Sequence, residues 1–383
     1  MFFSSRNRGR PVLIADIDSG CVGIAVVVLG SSAPHVVTYL KKTLPLESRA
    51  VEQTATGIIG LLTECVAQLI KNYSESESGR AYGPIASVYA IVGVPWVHSR
   101  TVHGTANYPE PHAITNDMIQ RLAKQALQES SPLNAAHVFE TNVTRVHLNG
   151  YATSKPLGKH AKSASVTVMQ SDINPMIRSG IEHAFSSALP GRSLTIRSRI
   201  RSLLAVLHEH MSSSSNYVVV TMGNDATSCV AVRKEEIAEQ EVVPEGIATI
   251  SRRVAGDTGL PEELGSVMRM IAADSCTTPG CEAAKTGIAR AEPELVRAFG
   301  EAFSRLALHR RLPNRCIISA DDRFEPWLAQ FFERIDFSQF TITAQVFSVE
   351  PLDSKQLTEA VTWEPGIHED IGLTVAAAFV NIR

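Results

Sequence analysis

Across 383 residues, 44% hydrophobic and 20% charged, the chain has enough apolar content for cores in two or three domains and too much to be broadly disordered. A formal charge of -3, from 36 basic and 39 acidic side chains, gives no cationic field for a phosphate backbone, which excludes nucleic acid as the expected partner. No run reaches the ~18 uninterrupted apolar residues of a membrane-spanning helix, and the scattered cysteines, with only Cys276 and Cys281 close together, read as free thiols of a cytosolic protein rather than a zinc site.

Residues 1–10, "MFFSSRNRGR", lack the apolar core of a secretory signal and read as a flexible basic tail, whose contact with an anionic membrane would be peripheral. "PVLIADIDSGCVGIAVVVLG" follows, an apolar β-branched hairpin whose bend holds Asp16 and Asp18 just before Ser19 and Gly20. Apolar residues at helical spacing predict a helix from about Glu47 to Lys71, ended by "SESESG". "IASVYAIVGVP" reads as a strand whose Gly-Val-Pro ending meets something closely. Thr115 caps the next helix, with Asp117 in its first turn. Alternating strands then surround Asn149-Gly150, a pair suited to a tight turn, before Asn174 and Pro175 open another helix and "LTIRSRI" forms a short strand. Residues 113–209 therefore look like a small α+β insertion with an antiparallel sheet.

Beyond the polar run Ser212 to Ser215, "YVVVTMGNDATSCVAVRKEEI" repeats the opening pattern of strand, small polar bend and strand. Aligning Thr221 with Asp16 gives an offset of 205 residues (221 minus 16). Helices are expected at about 246–254, 261–273 and 293–310, with strands at "RCIISA", "FTITAQVFSV" and "LTVAAAFVNI". The order predicts an α/β chain: a tail over 1–10, a first lobe from 11–112, the insertion at 113–209, and a second lobe over 210–383 that carries closing elements of the first.

Small-residue bends expose backbone N–H groups, and the hydroxyls of Ser19 and Thr227 add donors, so two such bends facing each other suit a polyphosphate. A nearby carboxylate, Asp16, would then hold Mg²⁺ through water. "ADIDSGCVGIAVV" and "VTMGNDATSCVAV" resemble the two phosphate hairpins of the actin and sugar-kinase superfamily, and "VTRVHLNGYATSKPLGKHAKSASVTVMQSDINPM" resembles the SHS2-type module of the FtsA/PilM-like family. The resemblance implies an actin-like (ribonuclease H-like), duplicated, two-lobed fold with ATP and Mg²⁺ between the bends. Asp16, Ser19 and Gly20 would contribute from the first bend, and Gly223, Asn224, Asp225 and Thr227 from the second.

Three departures predict weakened or lost nucleotide binding. Asp18 stands where the family has a glycine, Thr221 where it has a second acid, and Ala320-Asp321-Asp322 where it has an open glycine turn. Two like charges 4 Å apart cost about 4 kcal/mol at an effective dielectric near 20, more than one or two hydrogen bonds return. Asp16 would then cap the bend rather than bind metal. The resemblance implies an FtsA-like cell-division scaffold that binds a division filament protein and assembles with copies of itself. A PilM-like adaptor of type IV pilus assembly, binding the cytoplasmic tail of a membrane protein, and an active ATPase or kinase are the alternatives. Either scaffold would be cytoplasmic, peripheral to the inner face of the cell membrane.

Overall fold

The computed structural model describes residues 9–30, 32–47, 49–130, 133, 135–210, 215–256, 264–277, 279–352, 357 and 359–382. Most of the expected N-terminal tail, and Ser212 to Ser214, lie outside the described residues. The β-branched opening forms β1 (Arg10–Ile17), β2 (Cys21–Leu29) and β3 (His35–Thr43) as an antiparallel meander. On the other side of β1 lie β4 (Ser87–Val92) and then β9 (Ser193–Ser198), both parallel, while the short β15 (Thr362–Trp363) extends the far edge.

The second sheet repeats this plan. β10 (Asn216–Met222), β11 (Thr227–Arg233) and β12 (Glu236–Val243) form the meander, and β13 (Arg315–Ser319) and β14 (Ser348–Pro351) add in parallel, giving the order β12-β11-β10-β13-β14. Asp16 faces Gly23 across its hairpin, and Thr221 faces Ser228. The offset read from sequence is therefore also the register of the two sheets.

Strand periodicity decides what each face meets. Leu13, Ala15 and Ile17 point outward onto α1 (Val51–Glu75) and α4 (Pro175–Ala188). Val12 and Ile14 point inward onto two central helices, α5 (Arg199–His210) and α10 (Ile371–Asn381), and Val219, Val230 and Ile317 reach the same layer from the second sheet. Asp16 shares the parity of Val12 and Ile14, which aims it inward. On the outer face of the second sheet, α6 (Ile247–Ala255), α7 (Leu264–Ala272), α8 (Pro279–Leu306) and α9 (Glu325–Arg334) enclose an aromatic cluster that includes Phe299, Phe303, Phe332 and Phe337.

A separate four-stranded antiparallel sheet, β5-β8-β6-β7, is made by β5 (Val97–Ala113), β6 (Val138–Leu148), β7 (Tyr151–Ala152) and β8 (His160–Ile173). Helix α3 (Asn116–Ser130) packs on it over Val102, Leu122, Val146 and Val166. Thr115 Oγ1 accepts from the Met118 N–H, Asn149 and Gly150 take positive φ, and Asn174 caps α4, as the sequence suggests. This sheet begins at Val97 rather than at residue 113, because β5 runs unbroken for 17 residues. It ends at Ile173, since β9, expected within 113–209, pairs with β4 instead.

Five other expectations change. "LTVAAAFVNI" is helical, because α10 lies between two sheets and can be apolar on every side. Only Ser348–Pro351 of the "FTITAQVFSV" region joins a sheet, and α8 starts at Pro279 with Pro293 inside it. Helix α1 continues to Glu75, where Ser76 caps a further short helix, α2 (Glu77–Tyr82), through the Gly79 N–H. Cys276 and Cys281 are bridged rather than free: the junction of α7 and α8 brings their Cα atoms to 5.8 Å, within bonding range. By length and composition α1 could cross a bilayer, but here its apolar stripe is core, packed on β2, β3 and α4.

Candidate functional site

The first bend secures itself. Its Asp18 N–H donates to the Cys21 carbonyl at 3.0 Å, and the Ser19 N–H donates to Asp18 Oδ1 at 2.6 Å. Asp18, rather than Asp16, is thus the side chain that caps the turn. In the second bend the Gly223 N–H donates to the Ala226 carbonyl at 2.9 Å. The two bends face each other across the lobes and touch. The Asp225 N–H donates to Ser19 Oγ at 2.7 Å, while Gly20 lies so close to Asn224 that a Cβ there would fall 1.8 Å from its side-chain nitrogen.

Asp16 and Asp18 are bound by one guanidinium. Arg199, the first residue of α5, donates from Nη2 and Nε to Asp16 Oδ1 at 2.7 and 3.1 Å, and from Nη1 to Asp18 Oδ2 at 2.8 Å. All three side chains are largely buried. Burial raises the Asp16 carboxyl above its ordinary value, with Arg199 opposing and Asp370 and Asp18 adding to the rise. Burial alone would lower Arg199, yet the two carboxylates raise it, so it stays ionised. The expected close approach at Gly93 is to this group: a Cβ there would come within 3.0 Å of the guanidinium.

Between the lobes this arrangement floors a cleft of about 1000 Å³. Its wall includes the start of α10, where Asp370 accepts from the Leu373 N–H at 2.9 Å and from Lys41 Nζ at 2.8 Å. Burial pushes Asp370 up, but the Lys41 charge and these hydrogen bonds outweigh it and hold the carboxyl below its ordinary value. At the third turn Asp321 accepts from Arg323 Nε at 2.7 Å; burial is again outweighed, and Asp321 too is held low. Among the described residues, seven carboxylates and four Lys or Arg side chains line the cleft, so a polyanion would meet an unfavourable field.

The residues present do not fit a magnesium-bound triphosphate. A phosphate cradle needs free amide donors, whereas the N–H groups of Asp18, Ser19, Gly223 and Asp225 are already engaged. The first N–H groups of α6 are engaged as well: Ile247 donates to the Gly223 carbonyl and Ala248 to that of Asn224. The carboxylate oxygens that would hold the ion's water shell face Arg199 instead. Among the described residues no cluster of three or more His, Cys, Asp or Glu side chains could hold a metal.

Of the residues picked from sequence, Asp16, Gly223 and Asn224 line the cleft. Ser19 is fully buried, and Thr227, also fully buried, donates to the Glu245 carbonyl at 2.6 Å. Gly20 and Asp225 form the contact between bends. Sequence reasoning missed Arg199, Lys41 and Asp370. The signal for Arg199 is the alternation of Arg197, Arg199 and Arg201 at the end of a strand; Lys41 and Asp370 are 329 residues apart and gave none.

No known family profile matches the chain, and no curated protein matches it. Solved structures do. The chain is similar to a structure described as a PilM-PilN type IV pilus biogenesis complex, with 13% identity and a TM-score of 0.61, over 97% of this chain and 98% of that one. A protein of unknown function from Bacteroides thetaiotaomicron, described as having an actin-like ATPase fold, aligns over 98% of each chain at 6% identity and a TM-score of 0.40. The ethanolamine utilization protein EutJ from Carboxydothermus hydrogenoformans aligns over 97% of this chain and 90% of its own at 11% identity and a TM-score of 0.37. With the repeated sheet order, the central helix pair and the facing bends, the chain has the two-lobed actin-like fold.

Proposed function

We propose that this chain is a PilM-like adaptor of type IV pilus assembly, which works by binding a partner at the cytosolic face of the membrane rather than by nucleotide turnover. The observation that carries the reading is the contact between the two bends, where a triphosphate would have to lie and where Ser19 meets Asp225 instead. The fold match along almost the whole of both chains supports the PilM side of the family. On this reading the partner is the cytoplasmic segment of a pilus membrane protein. An FtsA-like scaffold that assembles through the inserted sheet and binds a division filament protein shares the fold and differs in partner.

Immobilised peptides separate the two. The cytoplasmic tail of the organism's PilN-type membrane protein is expected to retain the chain, and the tail of the division filament protein is not. Retention by the filament tail alone would overturn the pilus assignment in favour of the division scaffold.

A further inference from the structure

We propose that Arg199 is the resident cation of this cleft: a guanidinium built into α5 holds the acidic bend where the fold family would use a divalent ion, and keeps the lobes closed without nucleotide. The inference goes beyond the adaptor reading, because it holds whatever partner binds.

The packing is arranged around these three ionic side chains. Gly93, at the end of β4, leaves room for the guanidinium. A Cβ at Gly223, in the second bend, would fall 2.4 Å from Asp18 Oδ1, and one at Gly372, in α10, would fall 2.3 Å from Asp16 Oδ2. Three glycines from three segments thus make space for the cluster. Gly223 belongs to the second lobe, so the geometry of Asp18 is matched to lobe closure. A planar guanidinium reaches both carboxylates through separate N–H groups, which fixes their spacing as a hydrated Mg²⁺ would not.

The same stretch of chain also reaches the inserted sheet. Glu140 on β6 is buried, with its side chain 1% exposed, and it accepts from Ser198 Oγ at 2.7 Å, the Ser198 N–H at 3.2 Å and Arg201 Nη1 at 2.6 Å, with Arg197 Nε 3.5 Å away. Ser198 precedes Arg199 directly. Residues 197–201 therefore clamp Glu140 with two arginines and the bend with the third. A displacement of β6 by a bound partner would move the anchor of Arg199, and release of Arg199 would loosen β6.

Hydrogen exchange of the full chain tests both parts. Peptides covering residues 16–21 and 222–227 are expected to exchange at the same rate with and without Mg-ATP in the unmodified protein. Slowing of either by more than about threefold on adding Mg-ATP overturns the resident-cation assignment. Arg199→Met is expected to speed both bends, and residues 138–148, by about tenfold, with residues 299–306 unchanged as a control for global loosening. Bends that exchange at the original rate in that variant also overturn it. Should Arg199→Met not fold, the nucleotide comparison still decides, and Glu140→Gln tests the link: exchange at 16–21 is expected to rise together with 138–148, and a rise confined to β6 overturns the coupling.

Discussion

At the first position of α5 a cation works against the helix dipole, a cost of about 0.3–1 kcal/mol, and Arg199 stands there because two buried carboxylates need it. Leaving such a buried charge cluster without its partner costs about 3–5 kcal/mol, so the ionic term wins easily. The neighbouring pair of Lys41 and Asp370 gives the cleft a measurable pH response. Asp370 and Asp321 have folded pKa values below the ordinary value near 3.9. Their stabilisation is therefore complete above about pH 4 and is lost as pH falls through the folded values. Asp16, raised by burial, runs the other way: its contribution is present below about pH 4 and fades as pH rises toward its folded value. Asp370→Asn keeps an N-cap for α10 while removing the charge. Urea unfolding across the acid range is expected to show a shallower loss of stability below about pH 4 in that variant than in the unmodified protein. Parallel curves would show that Asp370 does not contribute to acid lability.

At the scale of single elements, the first turn of α6 is docked on the second bend by backbone contact. A Cβ at Gly246 would fall 2.5 Å from the Asn224 carbonyl oxygen and 2.7 Å from the Ala226 nitrogen, and neither backbone atom can swing aside. Gly246→Ala is expected to destabilise by about 1–3 kcal/mol through this overlap. Gly60, inside α1, meets nothing within 4 Å, and Gly60→Ala should stabilise by about 0.5–1 kcal/mol by reducing the freedom of the unfolded chain. Urea midpoints of the two variants moving in opposite directions would bear out the assignment; a neutral Gly246→Ala would mean that α6 is free to shift away from the bend. The helical α10 belongs at this scale too. A ten-residue apolar run fits a buried strand and a buried helix equally well, and the Asp370 cap together with the space between two sheets selects the helix.

Across the whole molecule, contacts from distant parts of the chain tie the second lobe to the first lobe and to the inserted sheet beyond the cleft. Arg252 reaches the Leu46 and Glu47 carbonyls at 3.2 Å, Gln240 joins the Ser99 N–H to Ser228, and Arg145 on β6 pairs with Glu235 at the tip between β11 and β12. With the two bends in contact where the phosphates would lie, nucleotide has little to bind. A ligand present at about 100 times its dissociation constant would add about 2.7 kcal/mol and shift the melting temperature by several degrees. Mg-ATP at millimolar concentration is expected to shift it by less than about 1 °C, read by thermal unfolding. A rise of several degrees would show that the cleft binds nucleotide in spite of these contacts.

The lobes, their repeat and the bends could be read along the chain, because β-branched runs, turn residues and the 205-residue offset are local or periodic signals carried by the sequence itself. Proximity is not local. Nothing in "LTIRSRIR" says that its second arginine will meet Asp16 and Asp18, or that Glu140 will take the first and third, since those distances exist only after sheets and helices stack. Asp18 shows the difference most clearly: along the chain it reads as a charge obstructing a phosphate cradle, and in the folded protein it is a turn cap neutralised by Arg199, while the cradle is closed by Asn224 and Asp225 from the other lobe.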